Sequence, residues 1–229
     1  MTPRPAVAVL GLLLAACSGA PSGSPSPANT DPGRPLPSPV PEIGARVNGQ
    51  PIRIGQILPI AKMELDKVSL PDRDRMKAEV VRRALEQYVD RELLLQEALA
   101  RGIEADSREV AWAYDQMRRE HADEAAWGSF LAQQGVVDAQ SLKAELRAQH
   151  TVVALVDQEV RAFPVSEATA RAAFEAHPEA FARQGQTGPP AFEAVRGEVE
   201  AAVRESQRRA IRDALLGRLR SKARIELLL

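Results

Sequence analysis

Between Val80 and Leu99 apolar residues recur at helical spacing. Val81, Leu85, Tyr88, Leu95 and Leu99 follow one another at steps of three, four or seven, and Val80, Val89, Leu93 and Leu94 widen the stripe. A stripe this broad predicts a long helix buried against several partners, because a coiled-coil seam needs only a narrow line. Arg82, Arg83, Glu86, Asp90, Arg91 and Glu97 fill much of the remaining surface. Gly102 follows the last periodic residue and suits a left-handed C-terminal cap. Asp106 then opens a new helix, with Glu109 at capping-box spacing. The spacing predicts a helical hairpin turning at Gly102-Ile103.

The same patterning gives the rest of the chain. Ala45 to Arg53 carries Asn48-Gly49, the signature of a tight hairpin between two short strands. A helix over Gln56–Lys67 follows, with Pro59 expected in its first turn, where proline is tolerated. Val110, Trp112, Ala113, Met117 and Tyr114 make the apolar part of a helix ending near His121, and Trp127, Phe130 and Leu131 mark a shorter one over Glu124–Gln134. Asp138 caps a helix to about Arg161, with Leu142, Leu146, Val153, Val156 and Val160 inward. Ser166 caps another that stops before His177-Pro178. Phe192 begins a last long helix with Val195, Val199, Val203, Ala210, Ala214 and Leu219 as its stripe, and Arg224 to Leu228 reads as a strand.

Composition changes the picture at the N-terminus. Ala6 to Ala16 is an apolar run too short to span a bilayer, and it ends in Leu14-Ala15-Ala16-Cys17. This resembles the bacterial lipobox, and implies a signal peptide over 1–16, lipid attachment at Cys17 and, with Ser18 next, sorting to the periplasmic side of the outer membrane rather than the inner one. Cys17 is the single cysteine, so no disulfide or thiolate chemistry is left to the domain. Residues 17–42 are rich in Pro, Ser and Gly and predict a disordered tether, since such a segment buries too little to offset its ordering entropy. Charge is nearly balanced, with 30 basic and 31 acidic residues, which argues against nucleic acid as a partner.

Three stretches carry a family resemblance. YVDRELLLQEALARGIEADSREV (88–110), Val47-Asn48-Gly49 with Ile52, and VSEATARAAFEAHPEAF (165–181) resemble the chaperone region of the SurA and PrsA type of periplasmic foldase. The resemblance implies a mainly α, SurA-N-like helical chaperone domain over 43–229, with a small sheet formed by the N-terminal hairpin and the C-terminal strand. In that family a parvulin prolyl-isomerase domain follows the third motif. Here only residues 182–191 separate Phe181 from Phe192, too few for a sheet, helices and a core, and the chain resumes with FEAVRGEVEAAV, which is similar to the family's returning helix.

Other chemistries find little support. The three histidines, His121, His150 and His177, sit on different expected elements without metal-ligand spacing. There is no phosphate-binding glycine loop and no nucleophile elbow, so no catalytic residue, metal or cofactor is expected. Trp112, Met117, Trp127 and Phe130 are either core or the lining of a client-binding groove. The expected function is that of a lipid-anchored periplasmic holdase for unfolded exported or outer-membrane polypeptides. The alternatives are an assembly lipoprotein with one folded partner, and a prolyl isomerase in family name alone. Oligomeric state is left open.

Overall fold

A computed structural model describes residues 35–121, 123–182 and 188–229. The expected signal peptide, Cys17 and most of the expected tether lie outside the described residues.

The hairpin forms as patterned. β1 (Ile43–Val47) and β2 (Gln50–Arg53) pair antiparallel through Asn48 and Gly49, whose φ angles of 51° and 89° make the mirror-image turn that matches strand twist. β3 (Ile225–Leu227) pairs antiparallel with the other edge of β1, Val47 opposite Ile225 and Ala45 opposite Leu227, giving the order β2-β1-β3. The two ends of the domain therefore meet in one small sheet. Asn48 fastens it: its Oδ1 accepts from the Arg224 amide at 2.9 Å and its Nδ2 donates to Gln96 at 2.8 Å, while Gln96 donates to the Val47 carbonyl at 3.1 Å.

Seven α-helices complete the described chain: α1 (Ile54–Asp66), α2 (Leu70–Ala100), α3 (Ser107–Glu120), α4 (Glu124–Gln133), α5 (Ala139–Arg161), α6 (Glu167–Ala176) and α7 (Phe192–Arg220), with a 3-10 turn over Pro178–Phe181. α2 is the central hairpin's first arm. It ends in a two-bond cap at Gly102 (φ 68°), where the Ile103 amide donates to Ala98 at 2.9 Å and the Gly102 amide to Leu99 at 3.0 Å. Asp106, Asp138 and Ser166 cap α3, α5 and α6 by accepting from the Arg108, Ser141 and Thr169 amides. Glu109 turns its carboxylate towards His150 of α5, 3.6 Å away.

Some details differ from the sequence expectations. α1 starts at Ile54, two residues early, because Gln56 Oε1 accepts from the Arg53 amide. Pro59 thus falls in its second turn, where it removes the donor that Gly55 O would otherwise have used. Leu99 is exposed, since Ala98 takes the inward position at the close of α2. Ala210 and Ala214 face solvent, and Leu215 and Leu216 are buried in their stead.

Burial divides into three clusters. The main core joins the sheet, α1, α2, Leu155 of α5 and the end of α7 through Val47, Ile57, Leu85, Val89, Leu94 and Leu215. A second joins α3, α4 and the first half of α5 through Val110, Met117, Trp127, Leu142 and Leu146. The third packs α6 and the 3-10 turn on the start of α7 around Phe192 and Val199. Arg220 of α7 ties itself to α2 through Asp90 at 2.6 Å and Glu86 at 2.7 Å. Burial nonetheless pushes the Asp90 carboxyl up, outweighing the guanidinium beside it. Residues just before β1 touch the domain: Leu36 packs on the main core and the Pro35 carbonyl accepts from the buried Arg82 at 3.2 Å.

Candidate functional site

A cleft of about 1140 Å³ runs along α1. Its near wall is α1 itself, which buries Ile57 and Ala61 against α2 and leaves Leu58 and Met63 44% and 48% exposed on the cleft side. The floor is α2, with Tyr88, Arg91 and Leu94. The far wall comes from Phe130 of α4 and Val152, Val153 and Val156 of α5, and Arg208 and Arg212 of α7 stand on the rim. Met117 and His121, at the end of α3, complete the lining.

The polar groups of this cleft are largely engaged within the protein. Arg91 is paired with Glu145, and its guanidinium stands 5.4 Å from the centre of the Tyr88 ring. Arg208 pairs with Asp157, Lys67 with Glu64 at 2.7 Å, and Asp66 with Arg73 at 3.3 Å. Burial pushes the Tyr88 hydroxyl up to about 12; Glu145 adds to the rise and Arg91 opposes it. At neutral pH it is therefore a neutral hydrogen-bonding group and not a base. What the cleft offers a ligand is chiefly apolar area.

The candidate aromatic residues separate. Trp127 is 6% exposed and sits inside the second cluster, edge-on to Tyr114 at 5.7 Å and stacked on Phe130 at 5.4 Å. Met117 is buried beside it but also reaches the cleft. Phe130 is half-buried and faces the cleft, with His121 stacked on it at 4.4 Å. Trp112 is 60% exposed on α3 and does not line the cleft. The structure thus brings Met117, Trp127 and Phe130 together and leaves Trp112 apart. Leu58, Met63 and Val152 were not singled out by the sequence, and Val153, expected to face inward, is half-buried and lines the cleft. The available signal was an apolar excess on α1 and α5 beyond what one buried face needs.

Among the described residues no group of three or more His, Cys, Asp or Glu side chains is placed to hold a metal ion, and no helix is long and apolar enough to cross a membrane. His150 pairs with Glu109 and His177 with Glu179, each at 3.6 Å.

No family model and no curated protein sequence matches the chain. A solved structure does. It is a chain described with the virulence factor PEB4 and the periplasmic protein Cj1289, two structurally related SurA-like chaperones of the human pathogen Campylobacter jejuni. The match has a TM-score of 0.52 and 15% sequence identity, and covers 82% of this chain and 100% of that one. The chain has a SurA-like fold. The mainly α architecture with a small antiparallel sheet is the expected one, and in this SurA-like fold the cleft lies between α1, α2 and the α3–α5 lobe.

Proposed function

We propose that the protein is a chaperone that holds unfolded polypeptide segments in the cleft along α1, without covalent chemistry. The observation that carries this is the cleft itself: a large opening in a SurA-like fold whose lining is mostly apolar and whose charges are largely paired internally. Such a surface binds apolar side chains with little regard to the sequence around them. Met63 and Phe130 suit varied clients, because methionine repacks easily and an aromatic ring supplies area at low rotamer cost.

The test is suppression of aggregation of a chemically denatured protein. Leu58→Glu with Met63→Glu places two charges on an already exposed face of α1, so folding stays intact while holding is lost. Leu70→Glu, exposed and outside the cleft, serves as the control. Equal holding by all three proteins would contradict the proposal.

The location follows from the same proposal. The Leu14-to-Cys17 motif resembles a lipobox, and the SurA-like neighbour belongs with a periplasmic protein. We therefore infer a periplasmic chaperone anchored by lipid on Cys17, with the Pro-rich segment as spacer. Labelled fatty acid entering the wild type and Cys17→Ser equally would exclude that anchor. The short connection over 182–191 leaves no room for an inserted isomerase domain, which supports a holding role without catalysis. Acceleration of prolyl isomerisation by the purified protein would show otherwise.

A further inference from the structure

Two glycines close helices in the same way, and only one of them touches anything. Gly102 ends α2 with φ 68°, and a Cβ built on it meets nothing within 4 Å. Gly135 ends α4 with φ 70° and the same pair of cap bonds, from Gly135 to Ala132 and from Val136 to Leu131, each 3.1 Å. A Cβ there would stand 2.7 Å from Pro59 Cγ and 3.2 Å from Gly55 O. So the corner of the α3–α4 lobe lies against the N-terminal end of α1, at the place where Pro59 removes a helix donor. A glycine is needed at 135 for its backbone and also for the closeness of this approach.

That corner stands at one end of the cleft. The cleft's lining follows α1 from Gly55 to Lys67, and α1 is 13 residues long. At 1.5 Å per helical residue this is about 20 Å, the length of roughly six residues of extended chain. A segment lying straight along the groove leaves at both ends. With Pro59 seated on Gly135, α1 and the lobe meet at one end. The two sides of the contact belong to separate packing units, since Ile57 and Ala61 anchor α1 in the main core while α4 is packed in the second cluster. Neither Pro59 nor Gly135 is a member of either cluster.

We propose that the Pro59–Gly135 contact is the closing point of the cleft: it is shut in this structure and parts to admit a mid-chain segment of about six extended residues. This rests on the proposal that the cleft holds clients.

The test fixes the corner. In the full chain carrying Cys17→Ser, Pro59→Cys with Gly135→Cys sets two thiols where a disulfide, which needs a Cβ separation of about 3.8 Å, is within reach. Binding of reduced, carboxymethylated α-lactalbumin, whose thiols are blocked, is measured with the pair oxidised and again after reduction. The oxidised protein should bind at least tenfold more weakly, and reduction should restore the affinity. Equal affinity in both states overturns the inference. If Leu58→Glu with Met63→Glu abolishes binding while the lock does not, the closing point alone fails. If neither weakens binding, the cleft fails with it. Should the paired cysteines prevent folding, Gly135→Ala against Gly102→Ala replaces them. Both carry the same left-handed strain, and only the first forces the corner apart. A client affinity changed severalfold by Gly135→Ala and unchanged by Gly102→Ala is expected; identical behaviour overturns the inference.

Discussion

Around α2 and the sheet, the buried side chains are almost all aliphatic and come from opposite ends of the chain, with Val47 from the first hairpin meeting Leu215 from the last helix. In the α3–α4 lobe they come from one stretch, Val110 to Leu146, and include Met117 and Trp127, with the half-buried Phe130 stacked on Trp127. The first region is closed by contacts of long sequence separation and is packed by branched side chains with few rotamers. The second closes locally and is filled by a thioether and by ring faces, one of which continues into the cleft through Phe130. Stability is thus concentrated where the two ends of the domain meet, and adaptable surface where the chain folds back on itself. The cleft lies along the seam.

Removing the long-range closure should have the largest effect. Deletion of residues 223–229 takes away β3 together with the half-buried Ile225, Leu227 and Leu229. At roughly 1–2 kcal/mol per half-buried aliphatic side chain plus the lost pairing, it should cost about 5 kcal/mol and lower the melting temperature by about 10–20 °C. An isolated hairpin is marginal in water, so β1 and β2 go with it. A truncated protein that melts at the wild-type temperature would show that the sheet region does not depend on its long-range closure.

Next comes the lobe. Trp127→Ala empties a buried ring site and should cost about 3–5 kcal/mol. Hydrogen exchange should locate that cost: amides of α3 and α4 lose protection while those of β1 and β3 keep most of theirs. Loss spread evenly over both regions would mean that they are one cooperative unit.

The main core was more legible in the sequence than the site, for physical reasons. A wide helical stripe, an Asn-Gly turn, capping Asp and Ser residues and Gly102 each act locally, so the elements and caps could be read from residues a few positions apart. The pairing of β3 with β1 was also accessible, since a lone hairpin needs a third strand. Tertiary choices were less so. Leu99 and Ala98 are adjacent apolar residues, and only the neighbouring chain decides that Ala98 turns inward. Trp112 and Trp127 both read as amphipathic helix positions, and their opposite burial depends on how α3 and α4 lean on α5. The cleft was least legible, because it is the space left between α1, α2 and the α3–α5 lobe. Gly135 follows α4 as Gly102 follows α2, and nothing near it in the sequence marks its contact with Pro59, which spans the gap between two packing units.

Alkaline titration gives a smaller effect at the seam itself. The Tyr88 hydroxyl is raised above its unfolded value to about 12. Its contribution is therefore complete below about pH 10 and is lost as pH rises through 12, on the order of 2–3 kcal/mol over the whole shift. With two tyrosines in the chain, phenolate absorbance should show one of them titrating near 12. Tyr88→Phe should remove that component and flatten the alkaline fall in stability. If no phenol titrates near 12, the floor of the cleft is wetter than described.

The smallest effect belongs to Trp112→Ala. The ring is exposed and outside the cleft, so stability should change by no more than about 0.5 kcal/mol. Client holding should be unaltered. A loss of holding at unchanged melting temperature would move the binding surface to the outer face of α3.

Where the client lies on the protein can be read directly by crosslinking. A photo-reactive benzoylphenylalanine at position 63, on the cleft wall, is compared with the same group at position 112, on the outer face of α3, each irradiated with an unfolded client present. Covalent client adducts are expected from 63 and few or none from 112. Adducts from 112 with none from 63 would contradict holding in the cleft.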